Sequence, residues 1–341
     1  IKSKLDSNWS SVYKKKKKKK RNGGNRNIFA PEENLKNIQR KLSIAFTNNY
    51  FNPPFVHGFC KNQNIVTNAN MHLKRSHVLN IDLKNFFPSI KKEKIFQLLT
   101  GERFQMVPDV ANIITSLCCL NGELPQGAPT SPSLSNFICE NLDKDLDDMA
   151  KRNDAIYSRY CDDITFSFLE KNDQLPKEIL ELKKYRKKII ISLSKPLLDC
   201  IHKSGFEIND EKVRIGRRPN RQEVTGLTIN EFVNVQRKYV RQVKSMIYAW
   251  ERWGVEKAEN EFIEKYYFCD SNYRPSYVNI VKGKLAFLHM VKGKNDPIYV
   301  NLAKRFNNLI PEDYKKLPID ELDIKKEKKE MKFASFDLEI A

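Results

Sequence analysis

Two adjacent aspartates, Asp162 and Asp163, lie between short runs that are rich in β-branched and aromatic residues, 155–159 and 164–168. Adjacent side chains of a regular strand point to opposite faces. Both carboxylates can therefore serve one site only where the chain turns, and we predict that they lie at the tip of a hairpin. Two carboxylates held there, joined by a third, would make a hard-oxygen site for Mg²⁺ and phosphate chemistry.

Asp82 is the candidate for the third carboxylate. It ends an apolar run, residues 78–81, that is typical of a buried strand, so its side chain is expected at the strand edge beside the hairpin. Such a site could hold two metal ions about 3.5–4 Å apart. The alternative is that Asp82 caps the next helix and that Asp162 and Asp163 form a solvated turn.

A third motif lies between these acids. Residues 124–136 include Gly127 and three prolines, which exclude a helix through 125–132. Ser131 is predicted to cap a helix that has Pro132 at its first position. A loop of fixed shape with exposed backbone donors suits the approach of a nucleotide or a base pair, and a plain proline-rich connector is the alternative.

The order of these motifs resembles the palm of reverse transcriptases: a strand with Asp82, a Pro-Gln-Gly loop with Ser-Pro-x-x-x-Asn, then Tyr-x-Asp-Asp. Residues 56–59, 67–72 and 224–227 look like signatures of bacterial retron reverse transcriptases, among them Asn-Ala-x-x-His and Val-Thr-Gly. The resemblance extends over roughly residues 12 to 305. Cys161 stands where alanine is common, at a position whose side chain is not a metal ligand.

The resemblance implies an α+β fold with right-hand polymerase architecture, in which an antiparallel palm sheet is backed by helices. We expect an N-terminal segment and fingers with a basic hairpin at 1–77, and the palm at 78–233 with part of the fingers inserted around 91–123. A helical thumb is expected at 234–310 and a charged tail at 311–341. The tail is a hypothetical contact for an associated protein.

Local patterns predict the elements that would position these motifs. A lysine run, 14–20, precedes the turn signal Asn22-Gly23-Gly24-Asn25, which favours a basic hairpin over the disordered tail usual for blocks of like charge. A strand and turn are expected over 205–212. Apolar periodicity predicts helices over 33–46, within 94–120, over 136–151, over 178–203 and from 234 onward. A solvated acidic face is predicted for Asp143, Asp145, Asp147 and Asp148.

By resemblance, Asp82 and Asp162 would hold two Mg²⁺ ions, or Mn²⁺ as a substitute, with help from the backbone carbonyl of Leu83. Asp163 would support the site. Arg26 would contact the triphosphate, Gln126 would pack on the nascent base pair, and Lys212 would approach the leaving pyrophosphate. A surface lysine is the alternative for Lys212.

Three further sets of contacts follow from the resemblance. Phe87 would pack on the sugar and reject a ribose 2′-hydroxyl; Phe86 is the alternative, because strand alternation sends one of the two rings to the core. Asn68 and His72 would read an RNA 2′-hydroxyl or base edge, although a lone histidine is usually structural. The primer end would be held by a hairpin that contains Val224, Thr225 and Gly226.

Composition agrees with a polyanionic partner. The chain has 61 Lys and Arg against 42 Asp and Glu, a formal charge of +19. This excess does not distinguish RNA from DNA or from an anionic membrane surface. No apolar run of about 18 residues predicts a membrane span. The seven cysteines lack C-x-x-C spacing, so we expect reduced thiols in a cytoplasmic protein and no zinc site.

A retron enzyme would copy its cognate structured noncoding RNA with dNTPs, starting from an RNA 2′-hydroxyl, into branched single-stranded DNA. Such systems resemble anti-phage defence modules, in which a separately encoded effector protein is the partner. Two alternatives stay open. One is a reverse transcriptase of another bacterial lineage, of the group II intron or abortive-infection type. The other is a mainly scaffolding RNA- or DNA-binding component of a defence complex.

Overall fold

A computed structural model of the chain describes residues 12–19, 23–169, 175–185, 188–266, 276–311 and 316–318. The chain divides into two compact units. The first contains the residues up to Thr225 together with Ile229–Glu231, and the second contains Gly226–Thr228 and the residues from Phe232 onward.

The described strands are β1 (Tyr13–Lys19), β2 (Asn25–Pro31), β3 (His77–Lys84), β4 (Ile156–Tyr160), β5 (Asp163–Phe168), β6 (Leu180–Tyr185), β7 (Lys188–Leu193), β8 (Glu207–Ile208), β9 (Arg214–Arg217), β10 (Glu223–Val224) and β11 (Leu227–Thr228). The described helices are α1 (Glu33–Asn49), α2 (Ile65–Asn70), α3 (Phe86–Ser89), α4 (Lys92–Thr100), α5 (Pro108–Cys118), α6 (Ser131–Arg152), α7 (Lys195–Lys203), α8 (Arg237–Trp253), α9 (Val255–Tyr266), α10 (Tyr277–Lys292) and α11 (Pro297–Leu309).

The basic hairpin forms as predicted. Strands β1 and β2 pair antiparallel, with Lys18 opposite Arg26, and the side chains of residues 14–18 are all exposed. The base of the hairpin is anchored in the first unit, because Tyr13 is buried and accepts a 2.8 Å hydrogen bond from Gln39 of α1. Residues 20–22, which include part of the predicted turn, lie outside the described residues.

A five-stranded antiparallel sheet forms the centre of the first unit, in the order β4-β5-β3-β8, with β9 also paired to β3. Leu79, Ile81 and Leu83 of β3 are buried in the core with the apolar face of α6. The predicted strand before Asp82 is confirmed. It continues through Asp82 to Lys84, so the acid lies within the strand near its end.

Helix α6 is longer than predicted and begins at Ser131 instead of near Asn136. The prediction that Ser131 caps this helix is wrong. Ser131 is already helical, Thr130 precedes the first turn without a side-chain cap, and Pro132 therefore follows the first helical position. The hydroxyl of Ser131 instead donates to the carbonyl of Pro125 at 2.7 Å, because this buried loop carbonyl needs a donor.

The single helix predicted over 178–203 is also wrong. Strands β6 and β7 form an antiparallel hairpin there, and only α7 is helical. The β-branched run 189–191 favours a strand. Ser194 then starts α7, since its hydroxyl accepts a hydrogen bond from the backbone N–H of Leu197 at 3.2 Å.

The solvated acidic face predicted on α6 is only partly correct. Asp145 is exposed, and Asp147 and Asp148 are partly exposed. Asp143, in contrast, is 2% exposed. It turns inward because a buried cation, Arg159 of β4, binds both of its oxygens.

The second unit is helical beyond residue 236 in its described part, as predicted from the periodicity after 234. Its core contains Val243, Trp250, Leu285 and Phe306, and the ring centroids of Trp250 and Phe306 lie 5.7 Å apart. Most of the predicted tail, 311–341, lies outside the described residues. In the part of the chain that the structure describes, no helix is both long and apolar enough to cross a bilayer.

Candidate active site

The three predicted acids come together at one end of the central sheet. Asp82 of β3 lies directly opposite Asp163 of β5 in the antiparallel register. Asp162 lies in the two-residue turn between β4 and β5, and its carbonyl accepts a 2.9 Å hydrogen bond from the backbone N–H of Leu83. The predicted hairpin tip, with Asp82 beside it, is thus observed.

Residues 55–58 pack against this turn, and the close approach requires a glycine at residue 58. Residues 55–57 run parallel to β4 and form two backbone hydrogen bonds of 2.9 Å with Arg159. Gly58 then passes against the turn: a β-carbon at this position would lie 2.3 Å from the backbone nitrogen of Cys161. Cys161 itself has a φ of 59°, a conformation that few residues with a β-carbon adopt.

The acids lie in an environment that disfavours negative charge. Burial raises the pKa of Asp163 to about 6, and the neighbouring carboxylates of Asp162 and Asp82 add to the effect. Burial likewise raises the pKa of Asp162, against the opposing effects of a backbone hydrogen bond and of the cations Lys212 and Arg26. Three carboxylates crowded in this way attract cations.

A divalent ion fits the chemistry of this donor set, because carboxylate oxygens are the ligands that Mg²⁺ prefers. In the arrangement described here, Asp82 is instead bound by Lys212, whose Nζ lies 2.7 and 2.8 Å from the two carboxylate oxygens. Across the described ranges, no three His, Cys, Asp or Glu side chains are arranged as a ready-made metal site. Asp82 would have to exchange Lys212 for a metal ion.

The position of Lys212 is set by a short turn after β8. The backbone N–H of Asn209 donates to the carbonyl of Asp82 at 2.8 Å, and the N–H of Lys212 donates to the carbonyl of Asn209 at 2.9 Å. The Lys212 side chain is 47% exposed. It therefore contacts the acid cluster and also reaches solvent, and its approach to the leaving pyrophosphate stays a prediction.

The Pro-Gln-Gly loop packs on the basic hairpin. The N–H of Phe29 in β2 donates to the carbonyl of Gln126 at 2.8 Å. Gly127 allows this approach: its φ is 120°, and a β-carbon would lie 2.8 Å from the carbonyl oxygen of Phe29. The loop is thus linked to the strand that carries Arg26.

The two phenylalanines after β3 separate as expected, but they lie on the short helix α3, so strand alternation is not the reason. Phe86 is buried and stacks on Phe206, with 5.6 Å between ring centroids. Phe87 is partly exposed, and its ring centroid lies 6.0 Å from that of Phe59. Phe87 is therefore the ring that faces outward, and its contact with the sugar stays a prediction.

His72 is fully buried between two strands. Its ring nitrogens lie 2.7 Å from the hydroxyls of Ser158 in β4 and Ser167 in β5. Burial lowers the pKa of His72 to about 3, so the ring is neutral at physiological pH. These contacts favour a structural role, and the RNA contact predicted for His72 stays a prediction.

The other predicted RNA contacts lie nearby. Asn68 is also fully buried, but neither atom of its amide has a hydrogen-bond partner among the described residues. Val224 is buried, the hydroxyl of Thr225 donates to the carbonyl of Ile65 at 3.2 Å, and Gly226 has a φ of 80°. A polar group of a bound partner that formed a hydrogen bond with the Asn68 amide would lower the free-energy cost of burying that amide. Its RNA contact also stays a prediction.

One set of residues at the turn was missed by sequence reasoning. Arg159 and Asp143 form a fully buried ion pair, and Asn136 of the Ser-Pro-x-x-x-Asn motif contacts it. The available signal was an arginine within the strand-like run 155–159, because a guanidinium that is buried in a strand needs a partner.

Comparison with known proteins identifies the family of this chain. The family described as reverse transcriptase (RNA-dependent DNA polymerase) matches residues 14–240. The match confirms the predicted α+β fold of right-hand polymerase type and defines the class as RNA-directed DNA polymerases.

Named relatives narrow the class. The Retron Ec86 reverse transcriptase of Escherichia coli is 30% identical over 271 residues, which is 79% of this chain and 73% of that protein. The Retron Mx162 reverse transcriptase of Myxococcus xanthus is 30% identical over 78% of this chain, but over only 55% of its own length. This chain belongs to the retron reverse transcriptases. Among solved structures, an apo telomerase from Candida tropicalis aligns with a TM-score of 0.42 and 13% identity, over 68% of this chain and 56% of that chain.

Proposed function

We propose that this chain copies a cognate structured noncoding RNA into branched single-stranded DNA, starting from an RNA 2′-hydroxyl and consuming dNTPs. The observation that carries the proposal is the convergence of Asp82, Asp162 and Asp163 at one end of the sheet, in a family of RNA-directed DNA polymerases. We further propose that the product acts in an anti-phage defence system with a separately encoded effector protein, and that the protein works in the cytoplasm.

Asp82 and Asp162, with the Leu83 carbonyl, would hold two Mg²⁺ ions, and Asp163 would support them. Bound Mg²⁺ supplies charge neutralisation at the phosphates and lowers the pKa of the attacking hydroxyl. Burial first, and then the neighbouring carboxylates, raise the pKa values of Asp162 and Asp163, and this supports the assignment because a bound cation would stabilise their ionised forms.

The chain's own residues would then position the nucleotide. Arg26 would contact the triphosphate, and Gln126 would pack on the new base pair. Phe87 would exclude a ribose 2′-hydroxyl from the sugar position. Lys212 would leave the Asp82 carboxylate and donate a charge-assisted hydrogen bond or a proton to the leaving pyrophosphate.

On the RNA side, Asn68 and His72 would contribute to the recognition of the cognate RNA. Val224, Thr225 and Gly226 would hold the primer end. The unpaired amide of Asn68 is the feature that supports a polar contact in this region.

Primer extension on a primed RNA template tests the reaction. Asp82→Asn and Asp162→Asn should each lower the rate by about 10³-fold or more, since metal-bound charge stabilisation is worth several kcal/mol and each 1.36 kcal/mol is a factor of ten. Asp145→Asn is the matched control: it removes an exposed acid of α6 and should leave the rate unchanged. Extension that survives both substitutions would reject the assignment of the acids.

Sequencing of nucleic acid that copurifies with the protein tests the finer proposal. A homogeneous branched RNA–DNA species is expected, and it should disappear from the Asp162→Asn protein. Heterogeneous RNA without attached DNA would count against a retron product. Phage challenge of cells that carry the Asp162→Asn protein separates an enzyme from a scaffold, because a scaffold would still protect them.

A further inference from the structure

The ion pair between Arg159 and Asp143 lies in the protein interior, where burying two charges has a high free-energy cost. Arg159 is 0% exposed and Asp143 is 2% exposed. Burial of two charges costs more than it returns unless their geometry is good and their remaining polar atoms are bonded. Neither residue belongs to the proposed metal or nucleotide site, so the pair needs a separate explanation.

The geometry of the pair is bidentate. Nε of Arg159 donates to one oxygen of Asp143 and Nη2 donates to the other, both at 2.7 Å. The hydroxyl of Tyr157 donates to the first of these oxygens at 2.6 Å. Asp143 is carried by α6, which is packed beneath the sheet, so the guanidinium is held in one orientation against a long helix.

The remaining arm of the guanidinium reaches the catalytic turn. Nη1 of Arg159 donates to the carbonyl oxygen of Cys161 at 3.2 Å. That carbonyl belongs to the peptide group that joins Cys161 to Asp162. Fixing this peptide fixes the direction in which the chain enters Asp162.

Asn136 connects the same arginine to the segment on the other side of the turn. Its amide oxygen accepts from Nη1 and Nη2 of Arg159 at 3.3 and 3.2 Å. Its Nδ2 donates to the carbonyl of Gly58 at 3.0 Å. Gly58 is the residue that packs directly on Cys161, so Asn136 and Arg159 hold both segments that meet at the turn.

The turn needs such support because Cys161 is left-handed, with a φ of 59°. Residues with a β-carbon disfavour this conformation, and it persists only where the surroundings enforce it. We propose that Arg159 is a positioning residue of the polymerase site. Held by Asp143 and Asn136, it fixes the Cys161 peptide and thereby the placement of Asp162 and Asp163.

This inference rests on the proposed function and gives Asn136 a role that its motif alone does not state. It predicts that weakening these contacts impairs metal binding and the rate of the chemical step while dNTP binding changes little. A pair that only stabilises the fold would change neither quantity in the folded fraction.

Two variants probe the contacts. Arg159→Lys keeps the buried positive charge but loses the fork that reaches Cys161. Asn136→Ala leaves the Arg159–Asp143 pair in place and removes the link to Gly58, so it remains informative if Arg159→Lys fails to fold. Glu140→Gln is the control. Glu140 lies on α6, as Asn136 and Asp143 do, and the substitution breaks its partly exposed ion pair with Arg103, which is 3.1 Å long.

The first readout is metal affinity without turnover. Tb³⁺, a hard cation that prefers oxygen ligands, can be titrated into the full chain and followed by luminescence sensitised through the adjacent Tyr160. Asn136→Ala and Arg159→Lys should weaken Tb³⁺ binding by about 10-fold, because displaced carboxylates lose ligand geometry. Glu140→Gln should bind as the parent does.

The second readout is primer extension. A displacement of about 1 Å in a catalytic group costs about 100-fold in rate, so kcat should fall by about 10- to 100-fold while KM for dNTP stays within about twofold. Parent-like Tb³⁺ affinity and kcat in a folded Asn136→Ala protein would overturn the inference. So would losses that only match the unfolded fraction in thermal melts. An inactive parent would instead count against the proposed function, and the Tb³⁺ titration would still decide the role of Arg159.

Discussion

Gly58→Ala should strongly lower the rate of the reaction without removing any polar group. The added β-carbon would lie 2.3 Å from the backbone nitrogen of Cys161 and 3.0 Å from the carbonyl carbon of Tyr160, whereas ordinary contact begins at 3.4 Å. Both neighbours are backbone atoms that cannot rotate away. The turn and the segment at Gly58 must therefore separate by about 1 Å, a misplacement that costs about 100-fold in rate.

The assay is the initial rate of dNTP incorporation on a primed RNA at saturating dNTP and Mg²⁺, with a thermal melt of each protein. Gly283→Ala is the matched control, because its added carbon in α10 meets no atom within 4 Å. That control should keep its activity and gain about 0.5–1 kcal/mol of stability. A Gly58→Ala protein that extends primers within threefold of the parent would refute the reasoning.

Three further predictions concern the same region. In the absence of divalent metal, the pKa of Asp163 is raised to about 6 in the folded protein, so its carboxyl group loses the proton at a lower pH in the unfolded chain. The free energy of unfolding should therefore fall by about 3 kcal/mol as pH rises from about 4 to 6. Asp163→Asn should flatten that change in urea titrations with EDTA, and parallel curves would contradict it. Gly127→Ala should raise KM for dNTP and lower stability by about 1–3 kcal/mol, because its β-carbon meets the Phe29 carbonyl; an unchanged KM would argue against hairpin contact with the nucleotide. At Cys161, alanine should be nearly neutral, whereas valine should cost about 1–2 kcal/mol in thermal melts because a β-branched residue resists the left-handed conformation. Equal melting of these two variants would contradict the strain argument.

The turn and the strand that carry the acids could be predicted because each of them follows from local rules. Strand alternation favours a turn at Asp162 and Asp163, and an apolar run ending in Asp82 favours a buried strand. The hairpin around residues 22–25 likewise follows from its turn residues. Each of these signals lies within about ten residues, so a single sequence contains all of it. The pairing of Asp82 with Asp163 is, in contrast, a contact between distant elements.

Contacts between distant elements could not be read in the same way. Asp143 and Arg159 lie on a helix and a strand, and His72 bonds to serines of β4 and β5. A helical wheel of α6 places Asp143 among other acids, where a solvated face is the usual outcome. The error over 178–203 has another cause. The apolar positions there fit both the helical and the strand period, and the β-branched run 189–191 favours strands.

The lysine strand of the basic hairpin has one more physical consequence. Because alternate side chains of β1 point to opposite faces, its lysines put positive charge on both faces of the ribbon. Two copies of such a strand repel each other. The unpaired edge of β1 is therefore protected against pairing with the edge strand of another molecule. The same feature makes the ribbon's self-repulsion sensitive to ionic strength, since salt screens exposed charges within about 10 Å at 0.1 M.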